Sequence, residues 1–506
     1  MIAASGETQT KGPPADATTN VETFDVIIVG AGISGIGSAR YLQRECPDKR
    51  YVILEGLETF GGTWHTHRFP GVRSDTDLYT FGYSFKPWTE APLATRERII
   101  AYLGAALDEN DIARHIRYRH RVLAASWSSV TKQWTLDVEN NATGERLRFQ
   151  TGFLWMCQGY YRHAEGYTPN WTGMNEFSGR IVHPQTWPED LDYTGKNVVV
   201  IGSGATAATL VPAMAGKAGH ITMVQRSPTF YYPGNNADEL ADRLRALEID
   251  EHWIHAIVRK KLLAEKKERI RRCLETPEVV AGELIRAARE RLGPDIDVEK
   301  HFTPKYRVWQ QRLTFVPDGD FFESFRNGKA TIVTDEIESF TAKGLKLKSG
   351  SEIEADIIVT ATGFNLCVMG DIAFDVDGKQ IDFSDTVTYQ GMMFTGVPNF
   401  AWVFGYFRAG WTLRVELVAE VICRLLNHMT AIDAGKVTVS IPTEYGNLPH
   451  LSWSDPDSFN PSYLMRDLHL LPKRLDRPEW QHTQDYWSEK DLFPQIDFSD
   501  AAFVYE

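Results

Sequence analysis

FDVIIVGAGISGIGSARYL, residues 24–42, decides the fold. Its first part is a continuous apolar run rich in Val and Ile. Such a run is a strand buried on both faces, as in a parallel sheet. The run stops at Gly30-Ala31-Gly32-Ile33-Ser34-Gly35, and small residues then lead into a helix. Glycines at this spacing permit a tight turn and let a pyrophosphate approach the N–H groups of a helix start. The next apolar run, RYVILEG, ends at Glu55, 20 residues after Gly35. A carboxylate there can accept a hydrogen bond from a ribose hydroxyl.

The pattern recurs. KNVVVIGSGATAATLVPAM (196–214) carries Gly202-Ser203-Gly204-Ala205-Thr206-Ala207, with alanine in the last glycine position. Its following run, HITMVQRSP, ends in Gln225-Arg226-Ser227 and has no acid. A carboxylate would repel a 2′-phosphate, whereas an arginine can hydrogen-bond one. The first site is therefore expected to hold an adenosine with a free 2′-hydroxyl and the second to hold NADPH. Two dinucleotides in one chain imply electron transfer between them, and the first is then most simply FAD.

Around these units, HRVLAASW and QWTLDVEN alternate in polarity and read as antiparallel strands, and GFLWMCQG (152–159) reads as a buried strand. From about 237 to 292 apolar residues recur at helical spacing among charges. LKLKSGSEIEADIIVTATGF (345–364) reads as a hairpin followed by a buried strand, and WTLRVELVAEVICRLLNHM (411–429) as an amphipathic helix. The expected class is α/β, with two Rossmann-like doubly wound dinucleotide-binding domains and an inserted helical subdomain. The expected divisions are a flexible tail (1–20), an FAD-binding part (21–160), an NADPH-binding part (161–236), the helical insert (237–300), the rest of the NADPH-binding part (301–355), and a return to the FAD-binding part with a C-terminal segment (356–506).

Composition removes other classes. The formal net charge of −13 disfavours nucleic acid as a partner, because phosphate binding needs a basic surface. The five cysteines are scattered and form no CxxC, so neither a disulfide framework nor a metal site is expected and a reducing cytoplasm is. No apolar run reaches membrane-spanning length, and the N-terminus lacks the pattern of a secretory signal. The basic run RKKLLAEKKERIRR (259–272) reads as a solvated helix face rather than a membrane-binding one.

The electron acceptor is addressed by GLETFGGTWHTHRFPGVRSD (56–75). A disulfide reductase would carry its redox cysteine pair here, and this stretch has no cysteine. Molecular oxygen becomes the natural acceptor. Three segments then carry a resemblance. FSGRIVHPQTWP fits the fingerprint FxGxxxHxxxWP at Phe177, Gly179, His183, Trp187 and Pro188. GGTWHTHRFPGVRSD fits a second signature at Gly61, Gly62, Trp64, Phe69, Pro70, Gly71 and Asp75, and VTATGF supplies Ala361, Thr362 and Gly363. Over roughly residues 22–430 the chain resembles the Baeyer–Villiger type of flavin monooxygenase, and within it a subgroup that includes ethionamide-activating monooxygenases.

The resemblance implies a set of roles. Arg312 matches a mobile arginine that faces the flavin, and Asp75 the carboxylate that positions it. A guanidinium stays charged at any working pH and can stabilise a peroxyflavin anion and the oxyanion formed from it. Thr63, Trp64, Tyr83, Val122 and Gln158 match cofactor-contact positions, and Trp411 opens a helix whose positive end would face the flavin. Gln311 stands where many relatives carry a lysine that touches the NADP phosphate, which puts weight on Arg226 and Ser227. The implied reaction inserts one oxygen atom beside a ketone carbonyl to give an ester or lactone, with sulfides also oxidised. An enzyme whose main work is S- or N-oxygenation shares these motifs. The fingerprint itself is expected to link the two domains, with His183 and Trp187 orienting one against the other rather than transferring protons.

Overall fold

The computed structural model describes residues 21–506, so the expected tail at 1–20 lies outside the described residues. The strand Glu22–Val29 lies inside a nine-stranded sheet. Its Val26, Ile27, Ile28 and Val29 are buried, as an apolar run with parallel neighbours on both sides requires. Those neighbours are Tyr51–Leu54 and the long strand Arg146–Met156. The long strand changes partner along its length. Its first half pairs antiparallel with Gln133–Asn140, which in turn pairs with His120–Ser128. Its last residues pair in parallel with Phe400–Trp402. The helix Trp411–Ala431 then packs on the helix Ile33–Glu45. Gly37 permits that contact, since a Cβ there would lie 2.9 Å from Val415 Cγ1.

A second sheet has five parallel strands, in the order Ala330–Thr334, His220–Gln225, Asn197–Ile201, Ile357–Thr360 and Arg180–Val182. Two expectations change here. Ile357–Thr360 belongs to this second sheet, so the return to the first domain falls after residue 360 rather than at 356. Arg180–Val182, inside the fingerprint, is an edge strand of the sheet rather than a free linker, because it satisfies its backbone groups against Ile357–Val359.

The chain crosses between the sheets as a two-stranded ribbon, Tyr161–Gly166 against Phe364–Leu366. The insert forms the helices Glu239–Ala246, Glu251–Glu275 and Pro277–Leu292. The long one leans on the first domain: Arg259 donates to the carbonyls of Tyr79 (2.6 Å) and Gly82 (2.9 Å) and pairs with Glu416. The C-terminal segment folds back over the first domain. Its Phe503–Tyr505 pairs with Val437–Val439, and Glu489 forms a fully buried ion pair with Arg414 at 2.8 Å.

Candidate active site

Both glycine turns open onto one cavity of about 1860 Å³ between the two sheets. At the first turn, Gly30 adopts φ +104° and its N–H donates to Leu54 O. A Cβ at Gly30 would sit 2.7 Å from Cys157 O, which is why only glycine fits there. Gly32 caps the following helix without a side-chain hydrogen bond, leaving its first N–H groups for an anion. A Cβ at Gly32 would make ordinary contact with Gly62 Cα at 3.7 Å, so no clash with protein requires this glycine. Gly35 serves the turn from behind, since a Cβ there would lie 1.9 Å from Gly30 O.

Glu55 is buried beside this turn and accepts from Ala31 N–H (2.7 Å) and Leu57 N–H (2.8 Å). Burial pushes its carboxyl up, against the pull of those amides. Each oxygen keeps a lone pair for a ribose hydroxyl. Trp411 Nε1 donates to Ser34 Oγ (2.8 Å), and Ala409 and Trp411, on either side of the capping Gly410, line the cavity where that helix begins. Gln158 and Val122 line the same wall, with Gly62, Thr63 and Trp64.

The second turn repeats the design. Gly202 adopts φ +124°, and a Cβ there would meet Ala361 O at 2.4 Å. Gly204 caps the helix Ala205–Met214 with no side-chain bond, and a Cβ at Gly204 would meet nothing within 4 Å. Ser203 Oγ lies 2.9 Å from Thr229 Oγ1. Arg226 and Ser227 are exposed at the cavity edge, and among the described residues Arg226 forms no ion pair. The neighbouring acids are occupied: Glu336 is paired with Lys348, and Asp335 accepts from Glu336 N–H and Ser349 N–H. A 2′-phosphate would therefore meet an uncommitted cation. The residues at both turns fit dinucleotides.

Arg312 lines the same cavity as both turns. It forks onto Asp75, with Nε donating to Oδ2 (2.6 Å) and Nη2 to Oδ1 (2.5 Å). These residues are 237 positions apart in the chain. Burial raises the Asp75 carboxyl, but the guanidinium overrides it and the net shift is downward. The Asp75 carboxylate in turn pushes Arg312 up, against burial. Both are charged across the working range. Among the described residues Arg312 Nη1 makes no hydrogen bond to protein, so it is free to meet a developing oxyanion. Gln311, Ala361, Thr362 and Gly363 also line the cavity.

The fold places some expected residues elsewhere. Tyr83 does not line the cavity: it is buried under the first helix and donates to Ile33 O at 2.6 Å. Its ring lies where a side chain at Gly37 would go, so its role is packing. None of the fingerprint residues Phe177, Gly179, His183, Trp187 and Pro188 lines the cavity. Phe177 packs on the outer face of the second sheet, and Trp187 packs on the other face against that domain's helices. Gly179 lies 2.3 Å, measured from its Cβ position, from Asp356 O. His183 reaches the interdomain ribbon, accepting from Gln185 N–H at Nδ1 (3.1 Å) and contacting Gly363 O through Nε2 (3.1 Å). A backbone N–H at Nδ1 fixes the tautomer, so Nε2–H is the donor to Gly363 O.

Four cavity residues were not expected at the site from the sequence, and one of them, Lys266, lies in the run 259–272 read as a solvated helix face. Tyr160 stacks on Trp411, with centroids 5.4 Å apart, and burial pushes its hydroxyl up. Tyr463 comes from the C-terminal segment, and its hydroxyl is likewise raised by burial. Lys266 reaches in from the insert, 3.6 Å from Asp77, and burial lowers its ammonium against that acid's pull. Arg408 precedes the Trp411 helix. Each sits on a segment whose place against the turns is decided only by packing.

A family described as pyridine nucleotide-disulphide oxidoreductase matches residues 24–286. The FAD-containing monooxygenase EthA of Mycolicibacterium smegmatis (strain ATCC 700084 / mc(2)155) is 44% identical over 469 residues, covering 92% of this chain and 94% of that protein. The probable FAD-binding monooxygenase AlmA of an Acinetobacter species is 39% identical over 484 residues, covering 95% and 96%. The fold is similar to that of an oxidized steroid monooxygenase bound to NADP, with TM-score 0.76, 21% identity, and 96% and 99% of the two chains covered. With both turns, the Arg312–Asp75 pair and relatives this close over nearly its whole length, the chain belongs to the FAD-containing monooxygenases.

Proposed function

We propose that this chain is a Baeyer–Villiger monooxygenase that uses NADPH and molecular oxygen to convert a ketone to an ester or lactone. The observation that carries this reading is the Arg312–Asp75 fork inside the one cavity that both glycine turns line. FAD, held at the first turn and reduced by NADPH held at the second, would supply the activation of oxygen. Every other part of the chemistry belongs to the chain. The first turn and the open helix end at Gly32 hold the negative groups of the flavin. Arg226 and Ser227 select the 2′-phosphate. Asp75 fixes Arg312 so that Nη1 faces the reacting oxygen as negative charge grows on it. Tyr160, Tyr463 and Trp411 line the same cavity, where exclusion of water by the bound cofactors would favour oxygen transfer over release of hydrogen peroxide.

A panel of ketones and thioethers, in competition, with product detection and NADPH counting, tests the reading. Ketone-derived ester is the expected main product. Arg312→Ala is expected to lower ester formation by about 10²-fold or more, the loss seen when an oxyanion donor is removed. Sulfoxide as the dominant product, with ester formation insensitive to Arg312, would replace this reading with S-oxygenation as the main activity.

A further inference from the structure

Arg312 sits at the end of an irregular stretch, 302–313, that no sheet or long helix holds. Three residues before it, Trp309 adopts φ +63°, in the left-handed region. A bulky side chain stays there only where its surroundings over-determine it. The Trp309 side chain is buried among Phe230, Cys273, Val308 and neighbouring aliphatics, which accounts for the indole but not for the backbone.

The backbone is held by Arg408. Its Nη2 donates to Trp309 O (3.2 Å) and to Ser458 O, and its Nη1 to Ser458 Oγ (3.4 Å). The Arg408 guanidinium also lies over the Phe459 ring, 5.5 Å from its centroid. Arg307 donates to the carbonyls of Asp457 and Ser458, each at 3.2 Å, and Asn460 N–H donates to Gln310 O at 2.7 Å. Arg307 and Arg408 thus both donate to Ser458 O and together hold the loop 455–460. Among the described residues neither arginine has a carboxylate partner. Arg408 lies just ahead of Gly410 and Trp411, which open the helix facing the first turn.

We propose that Arg408 is a positioning residue that ties the flavin-facing helix start to the Arg312-bearing segment. By holding Trp309 O it sets the direction in which residues 310–312 leave the strained turn. If the bond is lost and Trp309 relaxes, Arg312 no longer reaches Asp75 squarely, and the guanidinium drifts from the reacting oxygen. This inference rests on the role given to Arg312 under the proposed function.

The test measures FAD content, NADPH consumption and ester formed in Arg408→Met, Arg408→Lys, Arg312→Ala and the double variant Arg408→Met/Arg312→Ala. Arg408→Met should retain FAD, because Arg408 touches no residue of the first turn. Its ester yield per NADPH should fall by about tenfold or more, the scale expected when a reacting group is displaced. Arg408→Lys keeps the charge but has no fork to reach both carbonyls, so it should recover only part of the yield. The double variant should be no worse than Arg312→Ala, since one residue acts through the other. Wild-type yield in Arg408→Met overturns the proposal, as does a double variant whose losses simply add. If Arg408→Met fails to hold FAD, Arg408→Lys decides: wild-type yield there overturns it. Should Arg312→Ala itself keep wild-type yield, the Arg312 role fails instead, and the two failures are distinguished.

Discussion

Replacing His183 with alanine removes two hydrogen bonds at the seam between the sheets. Gln185 N–H loses its acceptor at Nδ1, and Gly363 O loses its donor at Nε2. The ring also fills the space beside Gly166, where even a Cβ would lie within 1.9 Å of it. Each partner left unsatisfied near the interior costs about 1–3 kcal/mol, so the two together cost about 2–4 kcal/mol once partial solvation is allowed. That cost falls on the link between the second sheet and the ribbon, Tyr161–Gly166 against Phe364–Leu366, not on the first turn. If only about 1.4 kcal/mol of it reaches NADPH binding, affinity falls tenfold. His183→Ala should therefore keep FAD, raise the NADPH KM about tenfold or more and lower the ester yield per NADPH.

The same residue sets a pH signature. Burial pushes the His183 pKa down to about 4, opposed by its bond to Gly363. Its folded pKa lies below the ordinary value near 6.5, so the unfolded chain binds the proton first as pH falls. Stability from His183 is then fully present above about pH 6.5 and is lost as pH drops from there toward about 4. The gap corresponds to at most about 3 kcal/mol. His163 and His255, also lowered to about 4 by burial, act in the same window, so the informative quantity is the difference in slope between wild type and His183→Ala. Thermal midpoints from pH 4.5 to 7.5 give that difference. Loss of bound FAD in His183→Ala with unchanged NADPH KM, or an unchanged slope, would refute the reasoning.

Three further outcomes are expected. Arg226→Ala should lower the preference for NADPH over NADH by about tenfold, because a cation at the second turn that forms no ion pair among the described residues is removed; an unchanged ratio in steady-state kinetics would misplace the phosphate. Glu489→Ala leaves Arg414 buried and unpaired and removes the acceptor of Tyr406 Oη–H. Breaking such a pair costs about 3–5 kcal/mol, so the thermal midpoint should drop clearly, and an unchanged midpoint would show that the C-terminal clasp is not needed. Gly202→Ala should spare FAD and abolish NADPH binding, since its φ of +124° and its 2.4 Å approach to Ala361 O leave no room for a methyl group; wild-type NADPH affinity would contradict the turn geometry.

The local rules that shape single elements were legible in the residues. The apolar runs at 24–29 and 197–201, the glycines that follow them, Glu55 and the basic ending at Arg226 are short-range patterns. Each records a constraint on a few neighbouring residues: a strand covered on both faces, a turn too tight for a side chain, a charge set at a strand end. Hence the two-sheet architecture and the dinucleotide sites could be read in order along the chain. The Arg312–Asp75 pair was legible only through family resemblance, because nothing local joins residues 237 positions apart. The tertiary structure decided the rest. It drew Ile357–Thr360 into the second sheet, made the fingerprint an edge strand and seam, and moved Tyr83 from the cavity to the core. It also brought Arg408 and the loop 455–460 against Trp309, because long-range hydrogen bonds and packing, not sequence spacing, determine which segments meet.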